Sequence, residues 1–246
     1  MESHLIQNYT NVNKISNNDL YCIEILTFRF KNYFNTRLYS IFLSGSVSRG
    51  ENCFKQSDID FIILLSSLKE MDKQFINSIK SPIQFSKIDI NIFTIEEIMI
   101  NNLYKFIIKT DSLLLHGFDY RLKIKDYYCN NELINIIFNL SMYKEFFLKL
   151  ENEKNINEIQ LRKYAKENIR ILLVFLIKHN IYKTSIQLIA INALDLLKNT
   201  FKEYITNSLN VYKTPCLNSD EIIKFKKMSS KNHFKIFKIY EETYNL

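Results

Sequence analysis

The sequence predicts an α+β fold: a small mixed β-sheet with flanking helices, followed by an all-α helical bundle. Alternating apolar and polar runs, typical of strands, occur only before about residue 120. Beyond that point apolar residues recur every three or four positions, which indicates helices. The 246 residues include only 3 glycines and 2 prolines, which disfavours a turn-rich all-β sandwich. We therefore expect two domains, 1–120 and 121–246.

The first domain opens with a predicted helix over 19–34, where apolar residues recur at helical spacing. Possible capping boxes, Ser67 with Glu70 and Thr94 with Glu97, mark the starts of two further helices. The remaining predicted elements are a strand at 38–43, a turn at 44–50, a strand at 59–65, a helix at 68–79, a strand at 87–93, a helix from 94 to about 109, and a short strand at 113–115 closed by Gly117.

The second domain is predicted to be helical throughout. Its helices are expected at 126–150, 158–179 and 185–204, with shorter ones starting at 220 and 232. Pro215 and its neighbours mark a loop.

Charge and composition limit the classes of partner. Lys and Arg number 33 against 26 Asp and Glu, a formal charge of +7, which favours anionic partners such as nucleoside triphosphates, RNA or acidic surfaces. Four cysteines and four histidines are scattered without metal-ligand spacing, so we expect reduced cytosolic thiols. The start of the chain is polar, and the longest apolar run, 171–177, is too short to span a bilayer. We expect a cytoplasmic protein without a membrane partner.

The turn at 44–50 is the first candidate for chemistry. Two of the three glycines, Gly45 and Gly50, lie in it, in a chain that uses glycine sparingly. They mark positions where a Cβ would not fit. Ser44, Ser46 and Ser48 fill the rest of the turn. Backbone N–H groups and hydroxyls arranged in this way favour a phosphate-binding loop.

Three carboxylates form the second candidate. Asp58 and Asp60 stand at positions i and i+2 of a predicted strand and so point to the same side, while Ile59 and Phe61 point to the core. Like charges this close favour a bound cation, and Mg²⁺ prefers such oxygen ligands. Asp89 lies on the polar side of the next strand. If the two strands are neighbours, the three carboxylates converge and could hold two metal ions about 3.5–4 Å apart.

This combination resembles the nucleotidyltransferase superfamily of the polymerase-β type, within the branch of bacterial antibiotic adenylyltransferases and minimal nucleotidyltransferases. The match covers about 50 residues from Phe42 to Asn91 and rests on Gly45-Ser46, Arg49-Gly50, Ser57-Asp58-Ile59-Asp60 and Asp89. The helical half is similar only in kind. The resemblance implies a catalytic domain at 1–120 and a helical acceptor-binding domain at 121–246.

The resemblance also implies a role for each site residue. Asp89 would complete one metal site and act as general base, with Glu145 of the helical domain as an alternative base. The acceptor oxygen would attack the α-phosphorus of an NTP, ATP as first guess, and pyrophosphate would leave in line. The implied ligands are Gly45 and Ser46 for the β- and γ-phosphates, Arg49 and Ser57 for the nucleotide, and Asp58, Asp60 and Asp89 for two Mg²⁺ ions.

Three functions stay open from the sequence. The first is transfer of a nucleoside monophosphate to a hydroxyl of a small polar acceptor, such as an aminoglycoside-like antibiotic. The second is a toxin-type enzyme acting on tRNA or protein, which suits the charge of +7. The third is a nucleotide-binding module without catalysis, which the presence of all three carboxylates disfavours.

The sequence also suggests interpretations for other polar residues near these motifs and in the second domain. Arg49 either contacts a phosphate or faces solvent at a helix start, and Ser57 braces the following strand rather than reacting. Lys55 is interpreted as solvated and His116 as structural. A basic stripe in the second domain either meets the triphosphate or forms a solvated face in which Glu167 pairs with Lys163; the stripe comprises Arg162, Lys163, Lys166 and Arg170.

Overall fold

The computed structural model describes residues 4–51, 58–80, 88–153 and 155–244. Its contacts divide the chain into two compact units, Leu5–Tyr127 and Tyr128–Leu246. His4 belongs to the second unit, and its carbonyl oxygen accepts a hydrogen bond from the Cys129 N–H at 3.0 Å. The sequence predicts a boundary at 120/121, whereas the contacts place the division after Tyr127.

The first unit opens with helix α1, Asn17–Phe34. The Ser16 hydroxyl oxygen accepts a hydrogen bond from the Asp19 N–H at 3.2 Å and so caps the helix. One face of α1 is buried, as the helical spacing predicts; its apolar members are Ile23, Leu26, Phe30 and Phe34. The predicted first helix is therefore confirmed.

Among the residues of the first unit that the structure describes, four strands form one mixed sheet. They are β1 (Leu38–Ser44), β2 (Ile59–Leu65), β3 (Ile88–Thr94) and β4 (Ser112–Gly117). Their order is β3-β2-β1-β4, with β2 and β3 parallel and the other two pairs antiparallel. The predicted fold class, a small mixed sheet with flanking helices followed by a helical region, is confirmed.

The central strands β1 and β2 carry buried apolar side chains on both faces of the sheet. One face of the sheet packs on α1, where the rings of Phe30 and Phe61 meet edge to face at 5.3 Å. Strand residues in this core include Ile41, Leu43 and Ile59. Because successive side chains of a strand point to opposite faces, the intervening residues of β1, β2 and β3 lie on the other face.

In the described parts of the connections between the strands, the α-helices are α2 (Gly45–Ser48), α3 (Glu70–Lys80), α4 (Ile95–Ile100) and α5 (Asn102–Thr110). The capping box of Thr94 and Glu97 is confirmed, with both reciprocal hydrogen bonds formed. The prediction of one helix from 94 to about 109 is wrong. The Asn101 side chain accepts from the Tyr104 N–H and starts α5 anew, because an asparagine offers the backbone an N-cap.

Helix α3 begins two residues later than predicted, at Glu70. The carboxylate that reaches back to the helix start is Asp72, which accepts from the Lys69 N–H at 2.7 Å. Asp72 also binds Arg37 through two hydrogen bonds of 2.8 and 2.9 Å. This ion pair fixes the helix start beside the beginning of β1.

The second unit contains six helices within the described residues. They are α6 (Asn131–Ile137), α7 (Leu140–Asn152), α8 (Glu158–Arg170), α9 (Leu173–Lys178), α10 (Ile186–Lys213) and α11 (Ser219–Tyr244). The predicted helix over 126–150 is divided, because Asn130 and Asn139 cap α6 and α7 separately. The predicted helices from 220 and 232 form one continuous α11. None of the helices in the described ranges has the length and apolar character needed to cross a membrane.

Buried polar side chains meet in the core of the second unit around Asn168 of α8. The Asn168 amide nitrogen donates to the hydroxyls of Ser208 at 3.1 Å and Ser229 at 2.9 Å. Its amide oxygen lies 2.7 Å from Nε2 of His233. Since the amide nitrogen is committed to the serines, the oxygen is an acceptor and His233 carries its proton on Nε2. Burial makes each of these hydrogen bonds costly to lose.

The neutral form of His233 is favoured by its surroundings. The imidazole is 3% exposed and stacks on Phe147 at 3.6 Å. Burial lowers the pKa of His233, and the Glu151 carboxylate, 3.8 Å from Nδ1, opposes this only in part. The phenol rings of Tyr164 and Tyr204 also lie against the imidazole, with ring centres 5.9 Å away in each case.

We expect the free energy of unfolding to fall as the pH drops below about 6.5. His233 in the unfolded chain takes up a proton near that pH, whereas the buried imidazole does so only at lower pH. Acidification therefore favours the unfolded state. His233→Gln keeps an N–H for Asn168 and removes this titration. Urea unfolding at about pH 7.5 and about pH 5.5 should show a larger loss for the wild type; equal losses would contradict the assignment.

Candidate active site

Side chains of three adjacent strands line up at one edge of the sheet. Ser44, at the end of β1, pairs with Asp60 of β2, and Asp60 pairs with Asp89 of β3. Paired residues of neighbouring strands point to the same face, and such strands lie about 4.8 Å apart. The prediction that the strands carrying Asp60 and Asp89 are neighbours is thus confirmed, and the two side chains lie side by side. Asp60 is half-buried and Asp89 is exposed.

The turn after β1 lies directly against the Asp60 carboxylate. Gly45 has φ +77°, and a Cβ at this position would overlap Asp60 Oδ2 and stand 3.2 Å from Cγ. Only glycine leaves room for the carboxylate here. The half-buried Ser46 follows, and its carbonyl oxygen accepts from the Glu51 N–H at 2.9 Å. The predicted loop and the Asp60 carboxylate therefore share one site.

Asp58 stands immediately before β2, two residues from Asp60, and is half-buried. Within residues 4–51, 58–80, 88–153 and 155–244, no three His, Cys, Asp or Glu side chains are grouped so that they could hold a metal ion. The pair that the strand register sets side by side is Asp60 and Asp89. A Mg²⁺ ion that arrives with a triphosphate needs only one or two protein carboxylates, since phosphate oxygens and water supply the other ligands. The pair fits such an ion.

Two residues beside these carboxylates were not predicted. Asn91, two positions after Asp89 on the same strand face, places its amide nitrogen 3.5 Å from Asp89 Oδ2. Tyr104 of α5 packs its ring on Phe93 at 4.4 Å. Burial raises the pKa of the Tyr104 phenol, and the charges of Asp89 and Asp60 raise it further. Its hydroxyl thus stays protonated, as a hydrogen-bond donor within electrostatic reach of both carboxylates. Strand alternation could have indicated Asn91, whereas the sequence contains no signal for Tyr104.

Arg49 does not face solvent at a helix start, so that interpretation is wrong. Its side chain is 11% exposed and binds two carboxylates, Asp111 and Glu51. Asp111 is the C-cap of α5 and lies far from Arg49 in sequence, so spacing could not reveal the pair. Ser57 and Lys55 lie outside the described residues.

The remaining candidates lie elsewhere. His116 is half-buried and pairs with Ile41, away from the Ser44 end of β1; burial, and then the Lys31 charge, lowers its pKa. Glu145 is exposed on α7 of the second unit. Cys22 and Cys129 are free thiols whose pKa burial raises, which makes them weak nucleophiles.

The basic stripe of α8 is only partly solvated. Lys163 and Arg170 are exposed, whereas Arg162 and Lys166 are half-buried. Glu167 forms its ion pair with Arg170, at 3.2 Å, and not in the expected form with Lys163. The Lys163 ammonium lies over the ring of Phe146, and the Arg162 guanidinium over the ring of Tyr212; the distances to the ring centres are 5.6 and 4.7 Å.

The fold is similar to that of a solved enzyme. The structure of spectinomycin adenyltransferase AAD(9) from Enterococcus faecialis, with ATP and spectinomycin, matches with a TM-score of 0.59. The match covers 88% of this chain and 99% of that one, at 12% sequence identity. Comparison of the sequence with protein-family models and with curated proteins finds no match. At this identity the likeness shows a shared fold and nothing further.

Proposed function

We propose that this chain is a Mg²⁺-dependent nucleotidyltransferase that transfers AMP from ATP to a hydroxyl of a small polar acceptor. The observation that carries the proposal is the side-by-side pair Asp60 and Asp89, with the Asp60 carboxylate in the space that a side chain at Gly45 would fill. Carboxylates and a phosphate-binding turn in one place suit the binding of a metal–triphosphate. The shared fold with an adenyltransferase solved with ATP supports the same reaction class.

Each part of the site has a role in this proposal. Gly45 and Ser46 hold the β- and γ-phosphates, and the missing Cβ of Gly45 allows close approach. Asp60 and Asp89, which the strand register sets side by side, would hold Mg²⁺, and Asp58, two residues before Asp60, is proposed as a further ligand. When bound, the ion neutralises charge that develops on the phosphate oxygens. We also propose that two Mg²⁺ ions bind at this site.

The transfer is a displacement at the α-phosphorus. Asp89 accepts the proton of the acceptor hydroxyl, and the acceptor oxygen forms a bond to the α-phosphorus while the bond to the pyrophosphate oxygen breaks. The products are the AMP ester of the acceptor and pyrophosphate. The protein contributes mainly by positioning the reactants and stabilising charge. Glu145 is the alternative base.

A small polar acceptor is favoured over tRNA or protein, because the adenyltransferase with the shared fold was solved with spectinomycin. The charge of +7 supports tRNA as the second candidate. Binding of tRNA at different salt concentrations distinguishes the two acceptors. If tRNA is the acceptor, its binding should be tight at low salt and weaken steeply as salt is added. If the protein does not bind tRNA even at low salt, tRNA is excluded.

The proposal predicts pyrophosphate release when ATP, Mg²⁺ and an acceptor are present together. Purified protein is incubated with each NTP in turn and with a panel of aminoglycosides, spectinomycin and tRNA, and pyrophosphate and the mass of the acceptor are measured. We expect release with ATP and one small acceptor, whose mass increases by one AMP. Binding of ATP without pyrophosphate release across the panel would leave a non-catalytic nucleotide-binding module.

A further inference from the structure

The turn that carries Gly45 and Ser46 is fixed through Arg49, the residue at its end. Arg49 Nη1 donates to both oxygens of Asp111, at 2.7 and 2.6 Å, and Nε donates to Glu51 at 2.9 Å. The Arg49 and Asp111 side chains are 11% and 16% exposed, so water screens the pair little. Asp111 is the C-cap of α5 and immediately precedes β4, whose first residue pairs with Ser44. The ion pair thus links Arg49, at the end of the turn, to the start of β4, the strand that pairs with the residue just before the turn.

Three further contacts fix the same turn. The Ser48 hydroxyl donates to the Gly45 carbonyl oxygen at 2.8 Å. The Asn11 N–H donates to the Ser48 carbonyl oxygen at 2.8 Å, which brings the N-terminal segment over the turn. Gly50 lies so close to Lys14 that a Cβ at position 50 would overlap the Lys14 side chain.

A helix of four residues cannot hold its own conformation. One hydrogen-bonded turn is unfavourable in isolation, since the entropy of fixing the backbone exceeds what a single turn returns. Here the turn also starts at Gly45 in the left-handed region. Its shape must therefore be imposed by neighbours, and the Arg49–Asp111 pair is the charged, nearly buried part of that support.

We propose that Arg49 and Asp111 are positioning residues that hold the Gly45–Ser46 turn in the shape that receives the triphosphate. The part that concerns nucleotide rests on the proposed function, whereas the part that concerns the turn does not. Arg49 then acts through the backbone of the turn, with its guanidinium committed to carboxylates. In the other interpretation offered by the sequence, Arg49 contacts a phosphate of the nucleotide directly.

The two roles of Arg49 predict opposite effects of Asp111→Asn. If Arg49 binds phosphate directly, loss of the competing carboxylate charge frees it, and ATP affinity holds or rises. If the pair positions the turn, the same change loosens the turn, and ATP affinity falls about tenfold, a loss typical of residues that orient a ligand shell.

The chain offers a matched control in Asp72→Asn. Asp72 forms a similar two-bond pair with Arg37, with side chains 3% and 15% exposed. Arg37 precedes the first residue of β1, at the opposite end from Ser44. Both variants lose one shielded ion pair of the first unit, and only Asp111→Asn touches the turn.

The first measurement is amide hydrogen exchange, which needs no nucleotide. The reporters are the Gly50 N–H, bonded to the Val47 carbonyl at 3.0 Å, and the Glu51 N–H, bonded to the Ser46 carbonyl at 2.9 Å. Asp111→Asn should speed exchange at both reporters beyond any change in Asp72→Asn. Equal exchange in the two variants, or unchanged protection in Asp111→Asn, overturns the positioning role.

The second measurement is calorimetric titration of ATP with MgCl₂ into wild type, Asp111→Asn, Arg49→Lys and the double variant. Arg49→Lys keeps the charge and loses the two-bond geometry. Each single variant should lose about tenfold in affinity, and the double variant no more than either, because both changes remove one interaction. Additive losses, or an undiminished affinity in Asp111→Asn, overturn the proposal. A wild type that binds no nucleotide refutes the proposed function, while hydrogen exchange still decides the positioning of the turn.

Discussion

Asp60→Asn is expected to lower the rate of nucleotidyl transfer by on the order of a thousandfold, or about 4 kcal/mol of transition-state stabilisation. Asp60 faces Gly45 on one side and pairs with Asp89 on the other, so it is central to the proposed site. An amide keeps the shape of the carboxylate and removes the charge that the metal–triphosphate needs. The effect should appear in pyrophosphate release and in formation of the AMP ester.

The same substitution should leave the fold intact. Like charges on directly paired strand residues cost a few tenths of a kcal/mol, so Asp60→Asn should keep or slightly raise the free energy of unfolding. Asp119→Asn is the matched control, since Asp119 pairs with Arg121 beyond the end of β4. It should keep transfer at the wild-type rate. Full activity in Asp60→Asn would refute the metal-binding role, and loss of activity together with unfolding would point to a structural role instead.

Gly45→Val is expected to block binding of the triphosphate and to lower transfer by at least about a hundredfold, since small displacements of reacting groups have effects of that size. Two physical effects act together. A Cβ overlaps the Asp60 carboxylate oxygen, and φ +77° is unfavourable for a β-branched residue. Gly45→Ala introduces the same first atom with less bulk and should show a smaller loss. Titration with ATP and Mg²⁺ measures both variants.

A substitution at a second glycine provides a control that changes the stability of the protein without touching the proposed phosphate-binding turn. Gly117 also has a positive φ, +89°, and a Cβ there would overlap the carbonyl oxygen of Tyr39. It lies on β4 opposite Ser40, away from the Ser44 end of β1. Gly117→Ala should therefore reduce stability and leave the ATP affinity of the folded protein unchanged. If Gly45→Val binds ATP as the wild type does, the turn is not the phosphate site.

Much of the fold could be predicted because its signals are local. The spacing of Ile23, Leu26 and Phe30 marks a helix wherever that segment packs. The alternation of apolar and polar residues around Asp89 marks a strand with one polar face. Helix ends were less predictable. Asparagines restart α5, α6 and α7 inside stretches whose apolar spacing continues, since a side chain that caps the backbone overrides periodicity.

By itself the sequence determined the α+β fold with its helical second part, the polar positions Asp60 and Asp89 on their strands, and the glycine–serine turn next to an aspartate pair. Only the tertiary structure decided that Asp60 fills the space beside Gly45, that Asp111 holds Arg49, and that Tyr104 approaches the carboxylates. The physical reason is the range of each effect. Periodicity and spacing are properties of one segment, whereas these contacts join residues distant in the chain and depend on strand order, register and the path of the connecting helices.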